Sequence, residues 1–237
     1  MDHDSARFLS AFNAIETYLR DLIEADASRS FSELVHQASH DHALVRRLSA
    51  ELRHLADLRN FLVHRFQEAE PLAVPSGLSM QKVERIRDAL LQPQLLHSLF
   101  HKVVVCCRPE DSVGAAAQKM HEHDFSQLPV YDGKQSVGLL TTDTVARWLS
   151  SRLASGVGLV EEESVRDVLA CQQYEQTQEF ASHRATVTDA FGWWEKHFHR
   201  GRPLQAILLT PHGRPSEMPT GIVTLGDFPA MLEAVGL

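Results

Sequence analysis

The chain has 237 residues, 43% of them apolar, and a formal charge of −8 with its histidines neutral. That is room for one large or two small domains with a proper core, and the charge argues against a broad nucleic-acid-binding face, though not against a small local one. No run approaches the roughly 18 apolar residues of a membrane span, and three cysteines with no C-x-x-C pair make neither a disulfide framework nor a zinc site.

The N-terminus, Met1-Asp-His-Asp4, is acidic where a secretion signal is basic and then apolar. With Cys106 and Cys107 adjacent, a reducing cytoplasm is the expected compartment. Phe8, Phe12, Ile15, Leu19 and Leu22 recur every three or four residues, with Leu9 and Ile23 widening the stripe. That spacing predicts an amphipathic helix from about Ser5 to Ala25. Ser30 or Ser32 begins a short helix carrying Phe31, Leu34 and Val35.

A third helix is expected from about His42 to Phe66. Its seam reads Val45, Leu48, Leu52, Leu55, Arg59, Leu62, Phe66, so a guanidinium stands on the core-facing stripe. An unpaired buried charge is costly. The pattern therefore calls for a carboxylate such as Glu16 or Asp21, or for an opening to water. The stretch Arg59-Asn-Phe-Leu-Val-His64 resembles the R-N-x-x-x-H signature of HEPN domains, helical bundles that often dimerise and many of which are metal-independent RNases. The resemblance implies His64 as general acid/base, suited by a pKa near neutrality. It implies Arg59 as the phosphate-binding group and Asn60 as an aid to positioning. One HEPN branch carries a tyrosine where this chain has Phe66. The alternative is that Arg59 is an interhelical ion pair, His64 an interface histidine, and the bundle a dimerisation scaffold.

Pro71, Pro75 and Gly77 break the chain before a helix that Ser79 can cap, holding Val83, Ile86 and Leu90 and ending near Pro93. Gln94 to His101 reads as a connector. Beyond it the sequence repeats. Gly138-Leu-Leu-Thr-Thr-Asp143 returns as Gly221-Ile-Val-Thr-Leu-Gly-Asp227, and Ser112-Val113 with Ala116 returns as Thr186-Val187 with Ala190. A period of this kind signals duplicated architecture. In the first copy Val103 to Val105 is expected as a strand buried on both faces. A helix capped by Asp111 or Ser112 follows, then strands from Gln127 to Tyr131 and Ser136 to Thr141 about an Asp132-Gly133 turn, then a helix from about Thr142 to Leu153. In the second, Val165 to Leu169 is a lead-in helix and Thr186 caps a helix buried through Phe191, Trp194 and Phe198. Strands follow at Ala206 to Leu209 and Thr220 to Thr224, with a closing helix from Leu225 to Val235.

This strand-helix-strand-strand-helix order resembles the cystathionine-β-synthase (CBS) domain, through Asp111-Ser-Val113, Ala116, Leu128-Pro-Val-Tyr-Asp132 and Gly138-Leu-Leu-Thr141, closely in the first copy and more loosely in the second. The fold class implied is α+β: a helical, HEPN-like domain over 1–100, then a tandem CBS pair over 102–155 and 163–237. Such pairs usually bind adenine nucleotides in the clefts between copies. The family's threonine reaches phosphate, and its aspartate, three residues on, accepts from the ribose hydroxyls. Thr224 and Asp227 match that pattern in full. In the first copy Thr141 is present, but Thr144 holds the aspartate's place and Asp143 comes one residue early, a rotation of about 100° on a helix. One competent and one weakened cleft are expected.

His121/His123 and His197/His199 stand two apart near helix ends, where they do not share a face, so no metal is expected. Trp193 could stack a base, whereas Trp194 reads as core. The cysteines read as packing. The function expected is a cytoplasmic homodimer that senses an adenine nucleotide (AMP, ADP, ATP or a relative) through the CBS pair. Its helical output is either an RNase acting on RNA or a non-catalytic scaffold working through a protein partner, with no membrane role.

Overall fold

The structure, a computed structural model, describes residues 3–64, 74–156, 162–174 and 177–235, and of His64 the backbone only. These gather into two compact units. The first comprises Met1–Gln94 with Thr186–Gly192 and Ala230–Leu237; the second comprises Leu95–Ala185 with Trp193–Pro229.

The first unit is helical. It holds α1 (His3–Leu22), α2 (Phe31–Asp41), α3 (Ala43–His64) and α4 (Gly77–Leu91). The apolar seams meet as their spacing dictates: Phe8, Phe12, Ile15 and Leu19 of α1 share one core with Leu34 and Val35, with Leu48, Leu52 and Leu55, and with Val83 and Ile86. Ser30 starts α2 with a full capping box, its hydroxyl accepting from Glu33 N–H while the Glu33 carboxylate accepts from Ser30 N–H at 2.8 Å. The cap of α4 is Ser76 rather than Ser79, since Ser79 N–H donates to Ser76 Oγ at 3.2 Å. Starting at Gly77 lets Met80 join the buried face.

The second unit carries most of the repeat; only Thr186–Gly192 and Ala230–Leu237 group with the first. Helix α5 (Leu96–Phe100) precedes an extended stretch, then α6 (Val113–His123), β1 (Gln127–Asp132), β2 (Gln135–Thr141) and α7 (Thr142–Ser155). The next copy has α8 (Val165–Leu169), β3 (Gln178–Ala181), α9 (Val187–His199), β4 (Ala206–Leu209) and β5 (Gly221–Thr224), then a single 3-10 turn at Leu225–Asp227 and α10 (Phe228–Ala234). Strands β1 and β2 form an antiparallel pair about a turn with Gly133 at φ +59°. Strand β4 lies between β3, parallel to it, and β5, antiparallel. Both copies begin their central helix with a hydroxyl cap: Ser112 accepts from Ala115 N–H at 3.1 Å, and Thr186 from Asp189 N–H at 3.1 Å.

The two copies exchange their lead-in segments. Leu96 N–H donates to Ala185 O at 2.9 Å, His101 bridges Gly221, and Lys102 N–H donates to Thr220 O at 3.1 Å, so the segment before the first copy covers the edge of β5 in the second. In return, Val113 N–H donates to Glu163 O at 2.7 Å and Val165 N–H to Asp111 O at 2.9 Å, while Val165 and Val168 enter the first copy's core beside Val113, Ala116, Leu128 and Leu140. The stretch expected as a connector is therefore a structural part of the second copy. Each small sheet leaves an edge and a face open, and the partner's lead-in closes them.

Two expectations fail here. Val103–Val105 is not a doubly buried strand: Val103 is 95% exposed, and the stretch is extended without joining a sheet. Phe198 is not core, being 82% exposed, because the buried side of α9 runs through Trp194 and His197.

Beside the exchanged segment lie His97, His101 and His183, with the His97 and His183 rings 3.8 Å apart and His183 Nε2 2.9 Å from Thr220 Oγ1. Burial first, then the neighbouring His97 and His101, push the His183 pKa below its ordinary 6.5; Glu217 opposes this and His212 adds to it. A depressed imidazole pKa means the unfolded chain binds more protons, so its stabilising effect is full above about pH 6.5 and is lost as pH falls toward the folded value. Denaturation midpoints should fall as the pH drops from 7 to 5, and His183→Gln should flatten that slope.

Candidate functional site

The repeat motif of the second copy ends at a cleft. Strand β5 runs out at Thr224, and the chain turns into the 3-10 turn, bringing Asp227 back over the strand's end. Thr224 N–H donates to Asp227 Oδ2 at 2.8 Å and Thr224 Oγ1 donates to the same oxygen at 3.1 Å. Asp227 Oδ1 has no hydrogen bond among the described residues. Above this cap opens a cavity of about 230 Å³, lined by Thr224, Gly226 and Asp227, by the apolar walls Val103 to Val105, Pro129 and Ile222, and by Lys102 and Asp124 to Gln127. It is a little below the ~300 Å³ at which small-molecule sites begin, and it opens to solvent. The arrangement suits a flat apolar ring held against valines and a polar diol held at the carboxylate.

The first copy builds a different site. Thr141 caps α7, accepting from Thr144 N–H at 3.1 Å, and the two hydroxyls lie 3.0 Å apart, both buried. Thr144 thus fills the aspartate's place with a neutral group turned inward. Asp143 is exposed and accepts from Arg147 Nε at 2.8 Å. Thr141, Thr142 and Asp143 nevertheless line a second cleft of about 260 Å³ with Gln205 and Leu225. Ser126, Gln127, Thr224 and Gly226 line both clefts, with Gln127 Nε2 donating to Gln205 O at 3.3 Å. Sequence reasoning missed Lys102, Asp124 and Gln127. They lie outside the repeated motif, and only the chain's crossing between copies brings them to it.

On α3, Arg59 is only partly buried. Neither proposed carboxylate reaches it: Glu16 binds Arg20 at 2.8 Å within α1, and no ion pair forms at Arg59 among the described residues. Its Nη1 donates to the exposed Asn60 Oδ1 at 3.3 Å, and its Nε is buried without a partner. Partial exposure, the other compensation foreseen, is what the fold provides. The His64 side chain and Phe66 lie outside the described residues.

The remaining candidates are structural. His121 and His123 are exposed, while His197 is buried with Nε2 2.9 Å from Glu179 Oε1 and His199 points outward. Among the described residues no group of three His, Cys, Asp or Glu could hold a metal. Trp194 packs edge-on to Phe228 and donates Nε1–H to Leu204 O at 3.0 Å; Trp193 lines neither cleft. Burial drives the thiol pKa of Cys106 up to about 11 and that of Cys107 to about 12, so neither is a nucleophile at neutral pH. Among the described residues no helix is long and apolar enough to cross a membrane.

With this geometry in hand, comparison with known proteins places part of the chain. Residues 97–151 match the CBS domain family. Among curated proteins none matches the sequence. Similar solved structures include a CBS-domain protein of Agrobacterium tumefaciens, at 18% identity over 59% of this chain and 94% of that one, TM-score 0.41. A CBS domain pair solved with 5′-methylthioadenosine and S-adenosyl-L-methionine matches at 17% identity over 60% and 97%, TM-score 0.43. A conserved Pyrococcus horikoshii protein matches at 20% over 61% and 94%, TM-score 0.42. The chain is a helical N-terminal region followed by a CBS-type fold. The CBS match begins at His97, inside the segment that covers β5.

Proposed function

We propose that this chain is a regulatory protein whose two copies act as a tandem CBS pair, over 102–155 and 163–237, and bind an adenine-nucleotide-class ligand in the cleft of Thr224 and Asp227. The observation that carries the reading is the apolar cavity ending at a carboxylate with one uncommitted oxygen. A ribose diol supplies two donors, and Asp227 Oδ1 accepts them. The cleft of Thr141 and Asp143 is the weaker one, because Asp143 is held by Arg147. A thermal-shift screen of adenine compounds tests this, since a ligand at a hundred times its dissociation constant adds about 2.7 kcal/mol. No shift with any of them sinks the proposal. A ligand regulates only if it binds two conformations differently.

The helical region, residues 1–100, is the output. A HEPN-like, metal-independent RNase reading is favoured by Arg59, whose guanidinium has no carboxylate partner among the described residues and so can take phosphate oxygens. RNA incubated with the protein in EDTA should be cut. His64→Ala should lower the rate by about 100-fold or more if His64 is the general acid/base, with the melting temperature unchanged. Intact RNA in the wild-type incubation ends that reading. The alternative is a non-catalytic homodimeric scaffold acting through a protein partner. It is favoured by Val63, an apolar side chain 38% exposed on the same helix. Sedimentation of wild type against Val63→Glu reads the dimer directly.

A further inference from the structure

Resting on the nucleoside reading of the Thr224–Asp227 cleft, we infer that its ligand is a phosphate-free adenine nucleoside, with a neutral or cationic 5′ substituent, rather than a nucleoside di- or triphosphate. Three observations point the same way. The first is the charge of the lining. Among the described residues around this cavity stand two carboxylates, Asp124 and Asp227, and one ammonium, Lys102. Neither arginine nor histidine lines it, and the adjoining cleft adds a further carboxylate, Asp143, and no cation. A triphosphate brings three to four negative charges to a wall that is already net negative.

The second is the state of the hydroxyl. Thr224 has one hydroxyl proton, and it is committed to Asp227 Oδ2 at 3.1 Å; the backbone N–H of Thr224 is held by the same oxygen at 2.8 Å. With that proton held, the Thr224 hydroxyl has only lone pairs left to offer a ligand. Lone pairs welcome ribose hydroxyls and positively polarised groups and repel phosphate oxygens.

The third is the position of Asp124. It is the C-cap of α6, in the left-handed region at φ 53°, ψ 43°. The C-terminus of a helix is its negative end, so a carboxylate there is worse placed than the asparagine or glycine that this backbone conformation also accepts. Asp124 forms no ion pair among the described residues, and His121 and His123 of the same turn do not line the cavity. Helix stability gives no reason for this acid, but a bound ligand presenting donors or positive charge does.

The test is calorimetry on the full-length protein with adenosine, 5′-methylthioadenosine, S-adenosylmethionine, AMP, ADP and ATP, the phosphates with and without Mg²⁺. The phosphate-free compounds should bind about tenfold or more tighter than ATP, an ordinary size for charge discrimination at a binding face. Asp124→Asn keeps the left-handed turn and should narrow that gap, while Lys102→Met should widen it. AMP, ADP or ATP binding as tightly as adenosine overturns this inference and leaves the nucleotide-binding reading standing. A gap unchanged in Asp124→Asn also overturns it, because the preference would then not come from the lining's charge. Heat from none of the six compounds removes the underlying reading as well.

Discussion

Gly221→Ala should cost about 3 kcal/mol or more, whereas Gly138→Ala, at the matching place in the other copy, should cost under about 1.5 kcal/mol. Neither glycine has a positive φ, so the difference lies in space rather than backbone strain. A Cβ on Gly221 would stand 2.4 Å from the carbonyl oxygen of Phe100 and 2.9 Å from Leu209 Cδ1. The first is backbone and cannot turn aside. It belongs to the segment that crosses from the first copy, so relief requires that segment to leave the edge of β5. The His101–Gly221 bridge and the Lys102 N–H to Thr220 O bond would go with it. A Cβ on Gly138 meets only the Leu169 side chain, with Cδ1 nearest at 3.2 Å, the end of a side chain that can rotate. Urea denaturation of the two variants measures the difference. In a domain of this size, about 3 kcal/mol corresponds to a melting temperature roughly 6–12 °C lower. Equal losses at the two glycines would show that the exchanged segment is not tightly docked. Because that segment continues into Lys102–Val105, a wall of the cleft, Gly221→Ala should also weaken any ligand response.

Local rules read the elements well and the long-range exchange badly. The seam of α3, the capping box at Ser30, the Asp132-Gly133 turn and the cap at Thr186 each follow from residues within a few positions of one another, and each is present in the fold. An unbroken β-branched run such as 103–105 reads as a buried strand. Instead Val103 is exposed and Val104 and Val105 are half-buried, because the preceding helix docks on the other copy and the run lines a cavity. Phe198 was assigned to the core from its spacing with Trp194. The helix instead buries His197, whose ring finds Glu179, a partner that periodicity does not see. At the site the same division holds. Thr224 and Asp227 come from the motif, whereas Asp143, displaced by one residue, lines its cleft but is exposed and paired with Arg147. Asp124 and Lys102 reach the cavity through tertiary structure alone, and no short-range pattern marks them. Arg59, standing on the seam, calls for a carboxylate or an opening to water, and because it lies late in the helix it has the second, through partial exposure.

Asp227→Asn should abolish the thermal response to the best adenine ligand while leaving the unliganded protein nearly as stable as wild type. Asp227→Ala should abolish both the response and part of the stability. The distinction arises because this carboxylate has two tasks. Its Oδ2 caps the start of the 3-10 turn by accepting Thr224 N–H and Oγ1–H, and loss of such a cap costs about 1 kcal/mol. Its Oδ1, without a hydrogen bond among the described residues, is the oxygen left for a ligand in the cavity that Asp227 lines. Asparagine retains one acceptor oxygen for the cap, but it turns an NH₂ toward the cavity, so donors would meet the donors of the ribose and the diol would lose its partner. With wild type, saturating ligand adds about 2.7 kcal/mol, read as a shift of about 5–10 °C. Asp143→Ala tests the weaker cleft in the same way: it removes a carboxylate from that lining together with a solvent-exposed pair with Arg147, of the kind that contributes under about 1 kcal/mol. A full shift in Asp227→Asn would mean that the carboxylate acts in folding alone and that the ligand is held by the valine wall and backbone. No shift in wild type would reduce Asp227 to a cap and the two clefts to packing defects between the copies.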